Sequence, residues 1–323
     1  MPAIRRLAFF GSPEFAVPSL DALAASRYRP ALVVTQPPRP AGRGRREEET
    51  AVAARAREHG IEVWQSHKVR DPAFLAAFAA LDFDIAVVVA FGQIFPAALL
   101  ALPRLGCVNL HASLLPRHRG AAPIQAAIAA GDRETGVTTM RMEAGLDTGP
   151  TFLQRATLIG DDEDAPALSA RLARAGAELI LETLEGIESG TLEAVPQDDE
   201  LATLAPRLDK HDGLVDWSLD AAAIWRRSRA YRPWPGLTAL CGGEPLKLHD
   251  VRPLARPAAG AAAPGTYLGL EDGALAVAAG GGTILGLYRV QRPGRRALAA
   301  PEFLRGEHLT VGAAEFAAPA SGE

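Results

Sequence analysis

The sequence of 323 residues contains little cysteine and no long apolar run, and each shortage excludes a class of protein. Its two cysteines, Cys107 and Cys241, are far apart, which excludes a disulfide scaffold and a thiolate zinc cluster and fits a reducing compartment. The longest clean apolar run, residues 85–91, is far too short to cross a bilayer. The apolar stretch near the N-terminus breaks at Gly11, so no signal peptide fits, and we expect a cytoplasmic protein without a membrane anchor.

The chain has no excess of positive charge, because its net charge is −4, and this argues against non-specific binding of nucleic acid. The charge is spread unevenly, however. Residues 206–323 carry 14 Lys and Arg against 12 Asp and Glu, whereas the preceding residues carry 20 against 26. The mildly basic C-terminal part is a weak indication of a polyanionic partner.

Strand-like and helical segments alternate through the first 190 residues. Strands are predicted at residues 4–10, 31–35, 84–90, 105–110, 137–143 and 151–157, and helices at 50–60, 71–81, 121–130 and 166–189. A further helix is predicted to begin at Pro13 with Ser12 as its N-cap. This alternation predicts an α/β domain over residues 1–190, built on a mostly parallel, Rossmann-like sheet.

The pattern changes after Gly190. Residues 191–206 lack a regular apolar period and are predicted to be a linker. Beyond a helix at 221–229, short β-like runs lie at 246–251, 265–270, 275–279 and 284–290, separated by Gly and Pro. Residues 207–312 are therefore predicted to form a small β-barrel domain of OB-like type, and residues 313–323 a flexible tail.

Asn109 and His111 form the strongest candidate site. If residues 105–110 are a strand, both side chains point to the same side at its C-terminal end, where open parallel sheets bind ligands. An amide that donates a hydrogen bond and an imidazole that exchanges a proton suit a reaction that builds negative charge on a carbonyl oxygen. The alternative is a capping asparagine and a structural histidine.

Asp147 follows in a Gly-Leu-Asp-Thr-Gly segment over residues 145–149. Flanking glycines permit a tight turn that presents the carboxylate to a cleft, where it would raise the pKa of His111 and fix its ring. The alternative is an aspartate that only closes its own turn. Together the three side chains indicate acyl-type transfer without a metal or a covalent nucleophile. Dinucleotide-binding, phosphate-loop and zinc-ligand patterns are absent from the sequence.

These residues also carry a resemblance. The segments NLHASLLP at 109–116, RGAAPI at 119–124, FGSPEFA at 10–16, GLDTG at 145–149 and PWPG at 233–236 resemble the folate-dependent formyltransferases. Within that family the chain is similar to the group that formylates methionyl initiator tRNA, and the match runs almost end to end.

The resemblance implies 10-formyltetrahydrofolate as the formyl donor and no metal. The acceptor would be the α-amino group of methionine esterified to initiator tRNA. His111 and Asn109 would donate to a tetrahedral oxyanion, while Asp147 would hold His111 and help to move protons. The donor would be bound by a set of residues near these three, namely Ser113, Leu114, Leu115, Pro116, Phe91, Gly92 and Ile94.

The family also gives a role to an arginine-rich loop, which would contact the acceptor stem of the tRNA through Arg39, Arg43, Arg45 and Arg46. Residues 47–49 are glutamates where relatives usually continue with a basic residue, so contacts beyond Arg46 are not expected. Further phosphate contacts are expected from arginines of the second half, namely Arg226, Arg227, Arg229, Arg232, Arg289, Arg292, Arg295 and Arg296. The family suggests a monomer.

Two other functions stay open at this point. A formyltransferase could act on the amine of an amino sugar or a ribonucleotide, although the PWPG segment of the second half weighs against those groups. A tRNA-binding protein without activity is the alternative outside the enzymes, and the intact Asn109, His111 and Asp147 weigh against it.

Overall fold

The predicted alternation of strands and helices is present in the computed structural model, which describes residues 3–41, 46–255 and 262–318. The chain divides into two units. The first comprises Met1–Ile124, Glu134–Leu158 and Ala167–Pro206, and the second comprises Gln125–Arg133, Ile159–Pro166 and Arg207–Glu323. The assignment of residues 1–190, 191–206 and 207–312 to separate domains stays a prediction.

Up to Pro206 the chain contains eleven strands among its described residues: β1 Leu7–Gly11, β2 Leu32–Thr35, β3 Arg39–Ala41, β4 Arg46–Glu48, β5 Glu62–Gln65, β6 Ile85–Val89, β7 Cys107–His111, β8 Arg119–Gly120, β9 Glu134–Arg141, β10 Thr151–Leu158 and β11 Leu204–Ala205. The helices of this part are α1 Val17–Ala24, α2 Ala51–Glu58, α3 Pro72–Ala79, α4 Ala97–Leu100, α5 Pro123–Ala130 and α6 Ala165–Ser189.

The central sheet of the first unit has the order β10-β9-β7-β6-β1-β2-β5. The strands from β7 to β5 are parallel, while β9 and β10 are antiparallel to their neighbours. All five residues of β6 are buried, as its unbroken apolar run predicts for a central strand. The predicted mostly parallel α/β sheet is confirmed, and it brings the carboxyl ends of β1, β6 and β7 to one edge.

The predicted start of the first helix is wrong. A 3₁₀ turn covers Glu14–Ala16, and α1 begins at Val17 without a side-chain cap. The hydroxyl of Ser12 instead accepts hydrogen bonds from the backbone N–H of Gln36 at 3.2 Å and from Thr35 Oγ1 at 3.3 Å. It is used to tie the ends of β1 and β2 together, and so it does not cap a helix.

The second unit is rich in β-structure, as predicted. Its strands are β12 Leu237–Cys241, β13 Glu244–Pro253, β14 Tyr267–Glu271, β15 Ala274–Ala278, β16 Ile284–Gln291, β17 Leu298–Ala299 and β18 Phe316–Ala317, with helices α7 Ala221–Ala230 and α8 Ala300–Leu304. They form one antiparallel sheet in the order β14-β15-β16-β13-β12-β18, and β17 pairs with β16.

Two tight turns set the register of this sheet. Gly242 and Gly243 join β12 to β13 with φ of 58° and 80°, and Asp272 and Gly273 join β14 to β15 with φ of 48° and 80°. Two successive residues with positive φ are typical of the hairpin turn whose twist matches that of the strands. A 3₁₀ turn over Gly280–Gly282 connects β15 to β16.

The expected flexible tail, residues 313–323, needs a correction. Phe316 and Ala317 pair with β12, and the ring of Phe316 is buried against Trp217 at a centroid distance of 5.8 Å. The N–H of Tyr267 donates to the carbonyl of Ala313 at 2.9 Å, and the N–H of Phe316 donates to that of Gly265 at 3.0 Å. These bonds link the segment around β18 to β14 and to the turn before it, while residues 319–323 lie outside the described part.

Residues 191–206 follow α6 and were predicted to be a linker. The structure places them in the first unit, where β11 pairs in parallel with β8. Within the described residues, no helix has both the length and the apolar character needed to span a membrane.

The core of the first unit depends on a cluster of phenylalanine rings. Phe78 is 1% exposed and packs on Phe83 and Phe10 at centroid distances of 4.9 and 5.5 Å. We expect Phe78→Ala to lower the free energy of unfolding of this unit by about 3–5 kcal/mol, because it removes a buried ring and leaves a cavity. Denaturant unfolding followed by circular dichroism measures the loss. The matched change at the half-buried Phe152 should cost clearly less, and equal losses would contradict this account of the core.

Candidate active site

The two polar residues of β7 lie at the carboxyl edge of the sheet. Asn109 is paired with Val88 of the parallel neighbour β6 and with Met140 of the antiparallel neighbour β9. His111 is the last residue of the strand. Because side chains alternate along a strand, both residues face the same side, as the sequence predicts. Asn109 is half-buried, and its amide makes no hydrogen bond with any described residue, so its N–H groups are available to a ligand.

The ring of His111 is buried and held by one hydrogen bond. Its Nε2 lies 2.9 Å from the carbonyl oxygen of His118. Since a carbonyl oxygen can only accept, Nε2 carries the proton and donates it there. The other nitrogen, Nδ1, lies 3.6 Å from Oδ2 of Asp147. The predicted pairing of His111 with Asp147 is therefore present in space, with Nδ1 as the nitrogen that faces the carboxylate.

Asp147 occupies a strained turn. Its φ of 54° lies in the left-handed region, which costs a residue other than glycine about 1–3 kcal/mol. Its Oδ2 accepts a hydrogen bond of 2.9 Å from the N–H of Gly120 in β8. A Cβ at Gly149 would collide with the carbonyl oxygen of Arg141, so the turn needs glycine at that position. The predicted role of the flanking glycines agrees with this geometry.

The Asp147 carboxylate favours a higher pKa of His111, as predicted, but the net change is in the opposite direction. Burial disfavours the charged imidazolium and lowers the pKa below its usual 6.5, and this outweighs the opposing influence of the Asp147 carboxylate and the His118 carbonyl. The neutral ring, protonated at Nε2, is thus favoured at neutral pH. Because the unfolded state binds a proton at His111 more readily, this residue destabilises the fold as the pH falls below about 6.5.

The neighbouring thiol takes no part in this chemistry. Burial raises the pKa of Cys107, two residues before Asn109, to about 12, so it is not a thiolate at neutral pH. Among the described residues, no three His, Cys, Asp or Glu side chains lie together in a way that could hold a metal ion.

The segment over residues 112–117, which follows His111, is fixed by hydrogen bonds within itself and to β9. The hydroxyl of Ser113 is buried and donates to the carbonyl of Arg117 at 2.6 Å, while the N–H of Leu115 donates to Thr138 Oγ1 at 3.1 Å. Leu115 is buried, whereas Leu114 and Pro116 are half-buried. Of the side chains predicted to bind folate here, those of Leu114 and Pro116 are therefore the better placed to contact a ligand.

The residues after β6 form a second wall at the same edge. The ring of Phe91 is buried against Phe10 and Phe95, so its backbone faces outward, and its carbonyl accepts from Gln36 Nε2 at 2.7 Å. Gly92 is exposed and Ile94 is 91% exposed. A cavity of about 480 Å³ opens here, lined by Ser12, Pro13, Glu14, Gln36, Pro37, Glu48, Thr50, Ala51, Ala90, Phe91 and Gly92.

The arginine-rich loop is described in part. Arg39 lies in β3 and Arg46 in β4, two short strands that pair with each other in antiparallel fashion. Arg43 and Arg45 lie outside the described residues.

One polar cluster near Asp147 was not predicted from the sequence. Gln197 Nε2 donates to the backbone carbonyls of Asp147 and Gly149 at 2.8 and 2.6 Å. Its Oε1 accepts from Arg119 at 2.8 Å, and Arg119 also pairs with Asp199 at 2.7 Å. Gln197 and Asp199 lie in the segment predicted to be a linker, whose lack of periodicity gives no sign of such contacts.

The geometry predicts how His111 titrates. In the folded protein its pKa should lie below 6.5, and Asp147→Asn should lower it further, because the charge that favours the imidazolium is removed. Titration of the ring protons by NMR measures both values. The control Asp21→Asn removes a carboxylate 2.7 Å from His59 in the same unit and should leave His111 unchanged. An equal or higher pKa in Asp147→Asn would contradict the assigned pairing.

Comparison with known proteins places the chain in a family. A family model described as "Formyl transferase" matches residues 5–184, and one described as "Formyl transferase, C-terminal domain" matches residues 207–308. The methionyl-tRNA formyltransferase of Acidiphilium cryptum is 50% identical over 308 residues, which are 95% of this chain and 98% of the relative. That of Pelobacter propionicus is 47% identical over 308 residues, which are 95% of each chain.

A solved structure is similar in fold. The N-formyltransferase from Helicobacter canadensis, in complex with folinic acid and dTDP-3-aminofucose, superposes with a TM-score of 0.66 at 18% identity, covering 88% of this chain and 99% of that one. The two family models and the identity of the relatives over nearly the whole length show the family. The chain belongs to the methionyl-tRNA formyltransferase family.

Proposed function

We propose that this protein transfers the formyl group of 10-formyltetrahydrofolate to the α-amino group of methionyl initiator tRNA. The observation that carries the proposal is the placement of Asn109 and His111 at the strand edge, with Asp147 Oδ2 3.6 Å from His111 Nδ1. The relatives that match this chain over nearly its full length are named methionyl-tRNA formyltransferase.

The reaction requires a group that exchanges one proton. The folate donor supplies an electrophilic formyl carbon, and the neutral amine attacks it. A new C–N bond forms to the amine, the bond from the formyl carbon to N10 of the folate breaks, and one proton passes from the amine to N10. Negative charge develops on the formyl oxygen in between. The protein must therefore donate to that oxygen and relay that proton.

His111 is suited to the relay. Its Nε2–H is committed to His118, so Nδ1 presents a lone pair that accepts the proton lost by the amine. The imidazolium so formed faces the carboxylate of Asp147, which stabilises it. Its Nδ1–H then donates to the formyl oxygen and returns the proton to the leaving nitrogen. The predicted role of His111 as a donor is retained, with Nδ1 as the atom that performs it.

Asn109 is suited to donate to the formyl oxygen. Its half-buried amide makes no hydrogen bond with a described residue, and it lies on the same face of β7 as His111. A neutral donor does not change the proton count of the reaction, and a fixed donor at a developing oxyanion is worth about 3–4 kcal/mol.

The donor fits the walls that flank these residues. A folate has a flat bicyclic ring whose faces are apolar and whose edge makes hydrogen bonds. Leu114 and Pro116 offer apolar surface, and the exposed Gly92 and Ile94 offer backbone groups and an apolar side chain. We assign the donor to these residues. Ser113, Leu115 and Phe91 have buried side chains, and we assign them to the support of the walls.

The tRNA requires cationic surface. We assign Arg39, Arg43, Arg45 and Arg46 to its acceptor end. The second unit adds a cleft of about 510 Å³ with a surplus of arginine, lined by Asp162, Trp225, Arg229, Arg232, His249, Asp250, Val251, Arg252 and Arg289. Arg292 and Arg296 are each paired with a glutamate of the same unit, and in the cleft Arg232 and Arg252 are paired with Asp164 and Asp162. Arg289 is exposed and makes no ion pair with a described carboxylate, so it is the cleft arginine best suited to a phosphate. We further propose that the protein acts in the cytoplasm as a monomer, with residues 1–190 catalytic, 191–206 a connector and 207–312 binding the tRNA.

The direct test is a transfer assay with 10-formyltetrahydrofolate and three acceptors: methionyl initiator tRNA, methionyl elongator tRNA and a nucleotide-linked amino sugar. We expect formylation of the initiator alone. Formylation of the sugar, with neither tRNA modified, would retain the chemistry and move the function to a small-molecule amine. No transfer to any acceptor, despite binding of the donor, would reject the proposed enzyme.

Single substitutions separate the roles of the site residues. Asn109→Ala should lower kcat by about 10²–10³-fold, the usual effect of removing one donor to an oxyanion. His111→Ala should lower it at least as much, because the proton relay is lost as well. The dissociation constant of the donor, measured by fluorescence, should change little in both. A kcat close to that of the unsubstituted protein in either variant would remove that residue from the catalytic set.

A further inference from the structure

Residues 191–206 return to the catalytic loops before the chain enters the second unit. β11 pairs with β8, and the N–H of Arg119 donates to the carbonyl of Thr203 at 2.8 Å. The hydroxyl of Thr203 accepts from the N–H of His118 at 2.8 Å. The carbonyl of His118 accepts the hydrogen bond of His111, and the N–H of Gly120, next to Arg119, donates to Asp147. The segment is therefore built into the support of the site.

Gln197 is the residue of this segment that reaches the aspartate turn. A glutamine amide has two N–H donors and an oxygen with two lone pairs, and here all four are used. The nitrogen donates to the carbonyls of Asp147 and Gly149, while the oxygen accepts from Nε and Nη2 of Arg119 at 3.1 and 2.8 Å. A side chain saturated in this way has one orientation, so it fixes the two carbonyls relative to β8.

Among the described residues, the end of the turn is held by β9, where Gly149 is buried and the N–H of Arg141 donates to the carbonyl of Pro150 at 2.8 Å, but the start of the turn is open. Gly145, Leu146 and Thr148 are exposed, and Leu146 is 60% exposed. Asp147 keeps a positive φ, a conformation that persists only where the surroundings impose it. The carboxylate is anchored on one side by Gly120 N–H, and the backbone on the other side by Gln197. Without the second anchor the turn is free to relax, and the carboxylate would leave Nδ1 of His111.

We propose that Gln197, oriented by Arg119, is a positioning residue that holds the Asp147 turn so that its carboxylate faces His111. The inference rests on the proposed function, because it assigns a task in that reaction. It places a determinant of catalysis in the segment that leads to the second unit, outside the loops that contain the catalytic residues.

The test begins with Gln197→Leu, which keeps the size of the side chain and removes its four hydrogen bonds. We expect kcat for formyl transfer to fall by about 10–100-fold, as for other small displacements of a catalytic group, with KM for both substrates within about twofold. An unchanged kcat would overturn the proposal. Faster hydrogen exchange of the backbone amides over residues 144–149 should accompany the loss, and this readout does not depend on activity.

A matched control separates positioning from general destabilisation. Thr183→Val removes a buried hydroxyl that bonds to Thr139 Oγ1 and the Leu179 carbonyl, both at 2.7 Å, in the same unit. This variant should lower the melting temperature and leave kcat and the exchange of residues 144–149 unchanged. If it lowers kcat as much as Gln197→Leu, the effect of Gln197 is one of stability and the proposal fails.

The decisive arm is a double-variant cycle. If Gln197 acts through Asp147, then Gln197→Leu should cause no further fall in the single-turnover rate once Asp147→Ala is present. A purely structural role would lower the rate by the same factor in both backgrounds, and that result would overturn the proposal. The unsubstituted protein is assayed alongside, and if it does not formylate the initiator tRNA, the proposed function is rejected. The hydrogen-exchange experiment on Gln197→Leu would still decide whether Gln197 holds the turn.

A second variant guards against a fold that does not form. Gln197→Glu keeps an acceptor for Arg119 but turns the donor nitrogen into an oxygen, which the carbonyls of Asp147 and Gly149 repel. It should retain the folded structure and lose kcat as Gln197→Leu does. Full activity in Gln197→Glu would show that the two donated bonds have no part in catalysis and would overturn the proposal.

Discussion

The hydrogen bond from His111 Nε2 to the carbonyl of His118 determines which ring nitrogen faces Asp147. Because the carbonyl can only accept, the proton stays on Nε2, and Nδ1 becomes the atom that exchanges protons. The rest of the site is arranged around this bond. β7 supplies the ring, the turn before β8 supplies the carbonyl, and the turn before β10 supplies the carboxylate. The sheet edge brings these three backbones together, so the proposed chemistry depends on their relative register more than on any one side chain.

Two opposing influences set the charge of His111. Burial disfavours the imidazolium, and the carboxylate of Asp147 favours it. Burial is the stronger, so the ring starts neutral and can accept a proton, while the nearby carboxylate limits the cost of the charged ring once it forms. The same burial keeps Cys107 protonated and prevents a competing nucleophile. A more exposed site would lose this balance, because water would stabilise the charged ring before the substrate arrives.

The sequence predicted the sheet and the three catalytic candidates because periodicity and the rule for strand ends are local properties. Asn109 and His111 follow from alternation along one strand, and Asp147 from two glycines. The raising effect of Asp147 on the His111 pKa was predicted, but the larger lowering effect of burial was not, since the burial of His111 comes from packing by distant segments. The position of Gln197 and the pairing of β11 and Phe316 were missed for a related reason: both segments lack periodicity and acquire structure only through long-range partners. The prediction that Ser12 caps a helix is wrong because its hydroxyl links neighbouring strands, a contact that depends on the folded sheet.

The central claim is that His111 is neutral, with its proton on Nε2 and a free lone pair on Nδ1 facing Asp147. ¹⁵N NMR of protein labelled at histidine tests this most directly, with the signal assigned by its absence in a His111→Ala variant. At neutral pH the account predicts a protonated shift for Nε2 and an unprotonated shift for Nδ1. A proton on Nδ1 alone, or on both nitrogens, would contradict it.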